Sequence, residues 1–130
     1  METTQIEWID THCHLYAEEF NPDREEMIAR ALAIGVRRMM LPNIDMESLP
    51  TMLSLVELFP EHCKPMMGLH PSSVKEGYQE ILDQMKEVIL KGGYFGVGET
   101  GIDQALHKKF EQQNECIVNS GEGFVEVADH

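Results

Sequence analysis

Basic residues are scarce in this chain. Ten lysines and arginines stand against 23 aspartates and glutamates in 130 residues, for a formal net charge of −13. Such a field repels polyanions at long range, which argues against a tight binder of nucleic acid or anionic membrane. It does not exclude a transient hydrolase, because a bound cation supplies positive charge locally. Cysteine is scarce too. Cys13, Cys63 and Cys116 are odd in number and lack the spacing of a disulfide framework. No run approaches the roughly 18 apolar residues that cross a bilayer, and residues 1–5 have neither the basic segment nor the apolar stretch of a signal peptide. A cytoplasmic protein without a membrane partner is expected. Walker and Gly-x-Ser-x-Gly patterns are absent, which removes the usual signatures of P-loop chemistry and serine hydrolysis.

What is present is alternation. Residues 6–10 form a strand candidate, and Asn21-Pro22-Asp23 opens a helix with Asn21 as cap and Pro22 in its first turn. Residues 36–41 make a second strand. Leu49, Met52, Leu53, Val56 and Phe59 recur at helical spacing. A strand over 63–69, a helix carrying Ile81, Leu82, Met85, Val88 and Ile89, and a strand over 94–98 follow. A last helix is expected within 104–118, then an atypical tail over 119–130. Repeated strand–helix units with short connections specify a parallel α/β sheet with right-handed crossovers. About four parallel strands make either half of a TIM-type (β/α) barrel or a small open sheet, and the pattern does not separate the two. The length fits a single domain.

Chemistry-bearing residues gather where the predicted strands end, the face on which parallel α/β folds place their sites. Asp10-Thr11-His12-Cys13-His14 follows the first strand, Gly68-Leu69-His70-Pro71 the third, and Gly98-Glu99-Thr100-Gly101-Ile102-Asp103 the fourth. In an extended chain residues i and i+2 share a face, so His12 and His14 can converge on one cation while Cys13 points into the core. Two polar residues at a strand end are the simpler alternative. Asp10 is a candidate to orient an imidazole. Asp103 either caps the next helix or supports Glu99. His62 and His107 fall outside the pattern, and no cysteine nucleophile is expected.

These motifs, in this order, resemble the TatD-type metal-dependent hydrolases, the TatD deoxyribonucleases. The resemblance covers about residues 6–103. It implies a (β/α)₈ barrel and two divalent cations (Mg, Mn or Zn). It also implies metal-ligand roles for His12, His14 and Glu99, with Glu99 shared between the ions, and a substrate-binding role for His70. The implied activity is hydrolysis of phosphodiester bonds, with DNA as a transient substrate. Further ligands in that family, two histidines and an aspartate, lie in a second half that residues 104–130 do not match. The chain is therefore expected to be a truncated N-terminal half with an incomplete metal site and one weakly held ion. The alternative is a non-catalytic remnant or interaction module, self-associating as a homo-oligomer through exposed strand edges.

Overall fold

The computed structural model describes residues 6–100. Three strands, β1 (Trp8–Asp10), β2 (Val36–Pro42) and β3 (Cys63–Met66), form a parallel sheet in the order β1-β2-β3. Three helices, α1 (Arg24–Ala33), α2 (Leu49–Leu58) and α3 (Tyr78–Leu90), alternate with them. Asp10 lies opposite Met39 and Pro42 opposite Met66, so β2 runs past the end of β1 and finishes level with β3.

The core follows from alternation in β2. Met39 and Leu41 are buried while Arg38 is exposed. The two buried side chains join Ile28 of α1, Met52 and Leu55 of α2 and Met85 of α3 in one cluster. Each such fully buried side chain contributes about 1.5–3 kcal/mol of apolar transfer. Met67, Leu69 and Val74 extend this cluster past the end of β3 and anchor the loop that follows it. Four of the nine methionines are in this core.

Two expectations change. The predicted fourth strand is reduced to a single parallel bridge between Met67 and Val97. The segment still runs beside β3, with Phe95 N–H donating to Pro65 O at 2.9 Å and Gly98 N–H to Met67 O at 2.9 Å. Glycines at 93, 96 and 98 leave it little side-chain surface with which to hold a regular ladder. Helix α1 begins at Arg24, after Asn21-Pro22-Asp23, and Asn21 does not cap it. The Asn21 side chain accepts instead from the Arg24 guanidinium at 2.7 Å. The same guanidinium donates to the carbonyls of Leu15, Tyr16 and Ala17, at 2.6, 3.2 and 2.7 Å. Arg24 thereby clamps the loop that leaves the histidine pair. Trp8 and Ile9 of the short β1 are 58% and 54% exposed, an apolar edge that no other strand pairs among the described residues. Among the described residues no helix is long and apolar enough to cross a membrane. The helix expected within 104–118, the tail, Asp103 and His107 lie outside the described residues.

Candidate metal centre

β1 ends at Asp10, so His12 and His14 sit in the loop beyond it and not in a strand. That loop is still held beside β2, because Cys13 N–H donates to Met40 O at 3.1 Å. Asp10 meets the backbone of His12. Its Oδ1 accepts the backbone N–H of His12 at 3.0 Å and tightens the turn. The two rings meet edge to face, with Nε2 atoms 3.2 Å apart. Glu99 arrives from the opposite side, with Oε2 at 3.3 Å from His12 Nε2 and 3.1 Å from His14 Nε2.

These three atoms make a nearly equilateral triangle. Donors bound at about 2.0–2.1 Å to a tetrahedral cation stand about 3.3–3.4 Å apart. Two imidazoles and a carboxylate at 3.1–3.3 Å from one another therefore fit one divalent ion in both chemistry and spacing. His70 approaches the other carboxylate oxygen, its Nε2 at 3.2 Å from Glu99 Oε1. It does so from the start of a 3₁₀ turn after β3, where its backbone N–H donates to Ile44 O at 2.8 Å.

Glu99 is placed by residues other than its ligand partners. Its N–H donates to Asn43 O at 3.0 Å. Asn43 is fully buried, and its side chain is satisfied by Asp45 O at 2.7 Å and the Ser48 hydroxyl at 2.8 Å. Gly68 lets the Gly98–Glu99 peptide approach, since a Cβ there would lie 2.4 Å from Gly98 C and 2.6 Å from Glu99 N. Tyr16 was not among the residues the motifs pointed to. Its buried hydroxyl donates to Pro42 O at 2.6 Å and lies 2.9 Å from His14 Nδ1. Burial, and then the Asp45 and Glu99 carboxylates, push this phenol up to about 12, so it keeps its proton at neutral pH. A cavity of about 600 Å³ opens beside the triangle, lined by His14, Tyr16, Ser48, His70 and Glu99 with Glu18, Glu19, Asp45 and Glu47. His62 is remote, bonded through Nδ1 to Arg37 O at 2.8 Å.

Cys13 packs against the core, with its thiol directed at Met40 O. Burial, followed by Asp10, raises its pKa to about 12, and burial raises that of Cys63 to about 11. In a Cys116→Ser background, labelling of the folded chain with Ellman's reagent at pH 8 is expected to run at least about 100-fold slower than in urea, since the thiolate is the nucleophile. Both values lie above the ordinary 9.0. Folded thiols thus retain protons that unfolded ones release, and stability falls as pH rises from about 9 through 11–12. Urea midpoints measured across that window test the sign.

The family of TatD-related DNases matches residues 9–123. The chain is 30% identical over 98 residues to the uncharacterized metal-dependent hydrolase YjjV of Escherichia coli K12, covering 74% of this chain and 38% of that protein. It is 31% identical over 94 residues to the uncharacterized metal-dependent hydrolase YabD of Bacillus subtilis 168, covering 72% and 36%. A 3'-5' ssDNA/RNA exonuclease TatD of Salmonella typhimurium LT2 is 28% identical over 94 residues, again 72% and 36%. The crystal structure of the E. coli TatD homologue YjjV superposes with a TM-score of 0.83 at 26% identity, over 93% of this chain and 48% of that one. The chain thus spans less than half the length of these relatives, and its fold is part of their TIM-type barrel. It belongs to the family of TatD-related DNases.

Proposed function

We propose that this chain supplies the His12, His14 and Glu99 side of a divalent-metal centre that hydrolyses phosphodiester bonds in DNA. The triangle of donor atoms at 3.1–3.3 Å is the observation that carries this reading, and relatives described as metal-dependent hydrolases support it. A bound Mg²⁺, Mn²⁺ or Zn²⁺ would polarise phosphoryl oxygens and acidify a water there. His12 and His14 hold the ion as neutral donors, and Glu99 offsets its charge. Glu99 Oε1 faces His70 Nε2 at 3.2 Å, and it would be the oxygen available to a second ion if one were bound.

His70 acts here as a donor. Its Nδ1 accepts the N–H of Ser72 at 3.1 Å, so in the neutral ring the proton sits on Nε2, 3.2 Å from Glu99 Oε1. A phosphate oxygen entering the cavity meets that N–H. The net charge of −13 makes capture depend on the metal centre and not on long-range steering.

Among the described residues one triangle of ligands is formed, enough for one loosely held ion, so turnover by the 130-residue chain is expected to be low. Within the expected half-barrel the site is carried by residues 10–99, and the free thiols of Cys13 and Cys63 support a cytoplasmic location. A second reading, a self-associating module, is favoured by the exposed Trp8 and Ile9 of the β1 edge and the exposed Ile6 just before it. Calorimetric titration of Mn²⁺ or Zn²⁺ into the wild type and into His12→Ala/His14→Ala, beside a metal-dependent assay of single-stranded DNA cleavage, separates the two. Metal binding and cleavage that vanish together in the double variant support the enzyme. Equal metal binding by both proteins overturns it. Concentration-dependent light scattering without metal affinity favours the module.

A further inference from the structure

A phenol has one proton to donate, and here its destination is set. Tyr16 Oη lies 2.6 Å from the carbonyl oxygen of Pro42, an atom that only accepts. The proton therefore points at Pro42, and Oη meets its other neighbour, His14 Nδ1 at 2.9 Å, as an acceptor. Nδ1 must then carry hydrogen. In the neutral ring this leaves a bare lone pair on Nε2, the atom 3.1 Å from Glu99 Oε2 and 3.2 Å from His12 Nε2. We propose that Tyr16 is a positioning residue that fixes His14 in the Nδ1–H tautomer and so presents Nε2 as a ready metal donor.

The surroundings make the arrangement rigid. Tyr16 is 3% exposed, so water does not compete for its hydroxyl. The two rings stand edge to face at 80°, with centroids 5.7 Å apart. Arg24 holds the backbone on either side through the carbonyls of Leu15 and Ala17, and Pro42 is the last residue of the central strand. A solvent-exposed neutral histidine side chain prefers the proton on Nε2, the form with no donor pair facing a cation at that atom. A hydrogen bond at the second nitrogen selects the tautomer of a ligating histidine and raises its basicity. His70 shows the opposite selection, since a backbone N–H on its Nδ1 forces the proton to Nε2. The two rings facing Glu99 from either side are thus set for opposite tasks, one to donate an electron pair and the other a proton.

The consequence for affinity rests on the metal reading above, whereas the tautomer is a property of the metal-free protein. The test uses the full chain labelled with ¹⁵N, at pH 8.5 and without metal. Two-bond ¹H–¹⁵N imidazole spectra are recorded, with the His14 signals assigned by their loss in His14→Ala. The expected wild-type pattern is a protonated Nδ1 and an unprotonated Nε2 on His14. In Tyr16→Phe the proton is expected to move wholly or partly to Nε2, and Zn²⁺ affinity to fall about 10–100-fold. The same substitution in a His14→Ala background is expected to change Zn²⁺ affinity little. A wild-type His14 protonated on Nε2 overturns the proposal whether or not the variant folds. So does a folded Tyr16→Phe with an unchanged tautomer. Wild-type protein without Zn²⁺ affinity counts against the metal reading alone, and the tautomer still decides the case for Tyr16.

Discussion

A Glu99→Ala chain is expected to bind Zn²⁺ or Mn²⁺ about 100-fold more weakly than the wild type. Four-ligand zinc sites bind with about 10–16 kcal/mol, or on the order of 3 kcal/mol per ligand, and each 1.4 kcal/mol is a factor of ten. Glu99 is the one anionic member of the triangle, and its two oxygens serve three imidazoles at 3.1–3.3 Å. Removing it leaves two neutral donors that face each other with nothing to offset the ion's charge. Glu99→Gln keeps the volume and one carbonyl oxygen but loses the charge, so it is expected to fall between wild type and alanine. Glu57→Gln, on the exposed face of α2, is the control and is expected to leave affinity unchanged. Calorimetry reads all four proteins. Alanine and wild-type chains of equal affinity would mean that the ion is bound elsewhere. Any cleavage of single-stranded DNA is expected to fall with the affinity.

The alternation of strands and helices was visible because its signal is local. Leu49, Met52 and Leu55, spaced by three, line one face of α2, and the apolar run from Met39 to Pro42 marks the end of β2. The ends of elements were less visible because they are decided by contacts from elsewhere. Asn21 looks like a cap until Arg24 takes its side chain. The segment 94–98 looks like a strand, yet its glycines leave pairing to a few backbone bonds with Pro65 and Met67.

The site divides in the same way. His12, His14, His70 and Glu99 could be named from their motifs, since histidine and glutamate at strand ends have few other uses in combination. The reason given for the first two needed revision. They converge because Asp10 and Met40 hold the loop after β1, not because they alternate within a strand. Tyr16 was hidden, since a tyrosine after leucine reads as core, and its two partners lie on His14 and on the end of β2. Asn43 directly follows β2. That it is buried and carries Glu99 on its carbonyl is a tertiary fact with no counterpart in local pattern.

Gly68→Ala is expected to damage the centre although residue 68 touches no ligand atom. The added Cβ would lie 2.4 Å from Gly98 C and 2.6 Å from both Gly98 O and Glu99 N. Ordinary contact begins about 1 Å further out, and these neighbours are backbone atoms that cannot rotate away. Either the segment 98–99 retreats or the loop after β3 does. Retreat of the first pulls Glu99 N–H from Asn43 O and Gly98 N–H from Met67 O, bonds of 3.0 and 2.9 Å. Overpacking of this kind costs about 1–3 kcal/mol. An ångström of displacement also opens the triangle beyond the spacing that one ion spans, so metal affinity is expected to fall at least about tenfold. Gly77→Ala separates the two effects. At φ +83° with nothing within 4 Å of the new methyl, it strains the backbone by about 1–2 kcal/mol at the start of α3, away from Glu99. Urea denaturation is expected to register both variants, whereas calorimetry at a temperature where both are folded is expected to register only Gly68→Ala. Wild-type affinity in a folded Gly68→Ala chain would mean that Glu99 reaches the histidines without the close approach that Gly68 permits.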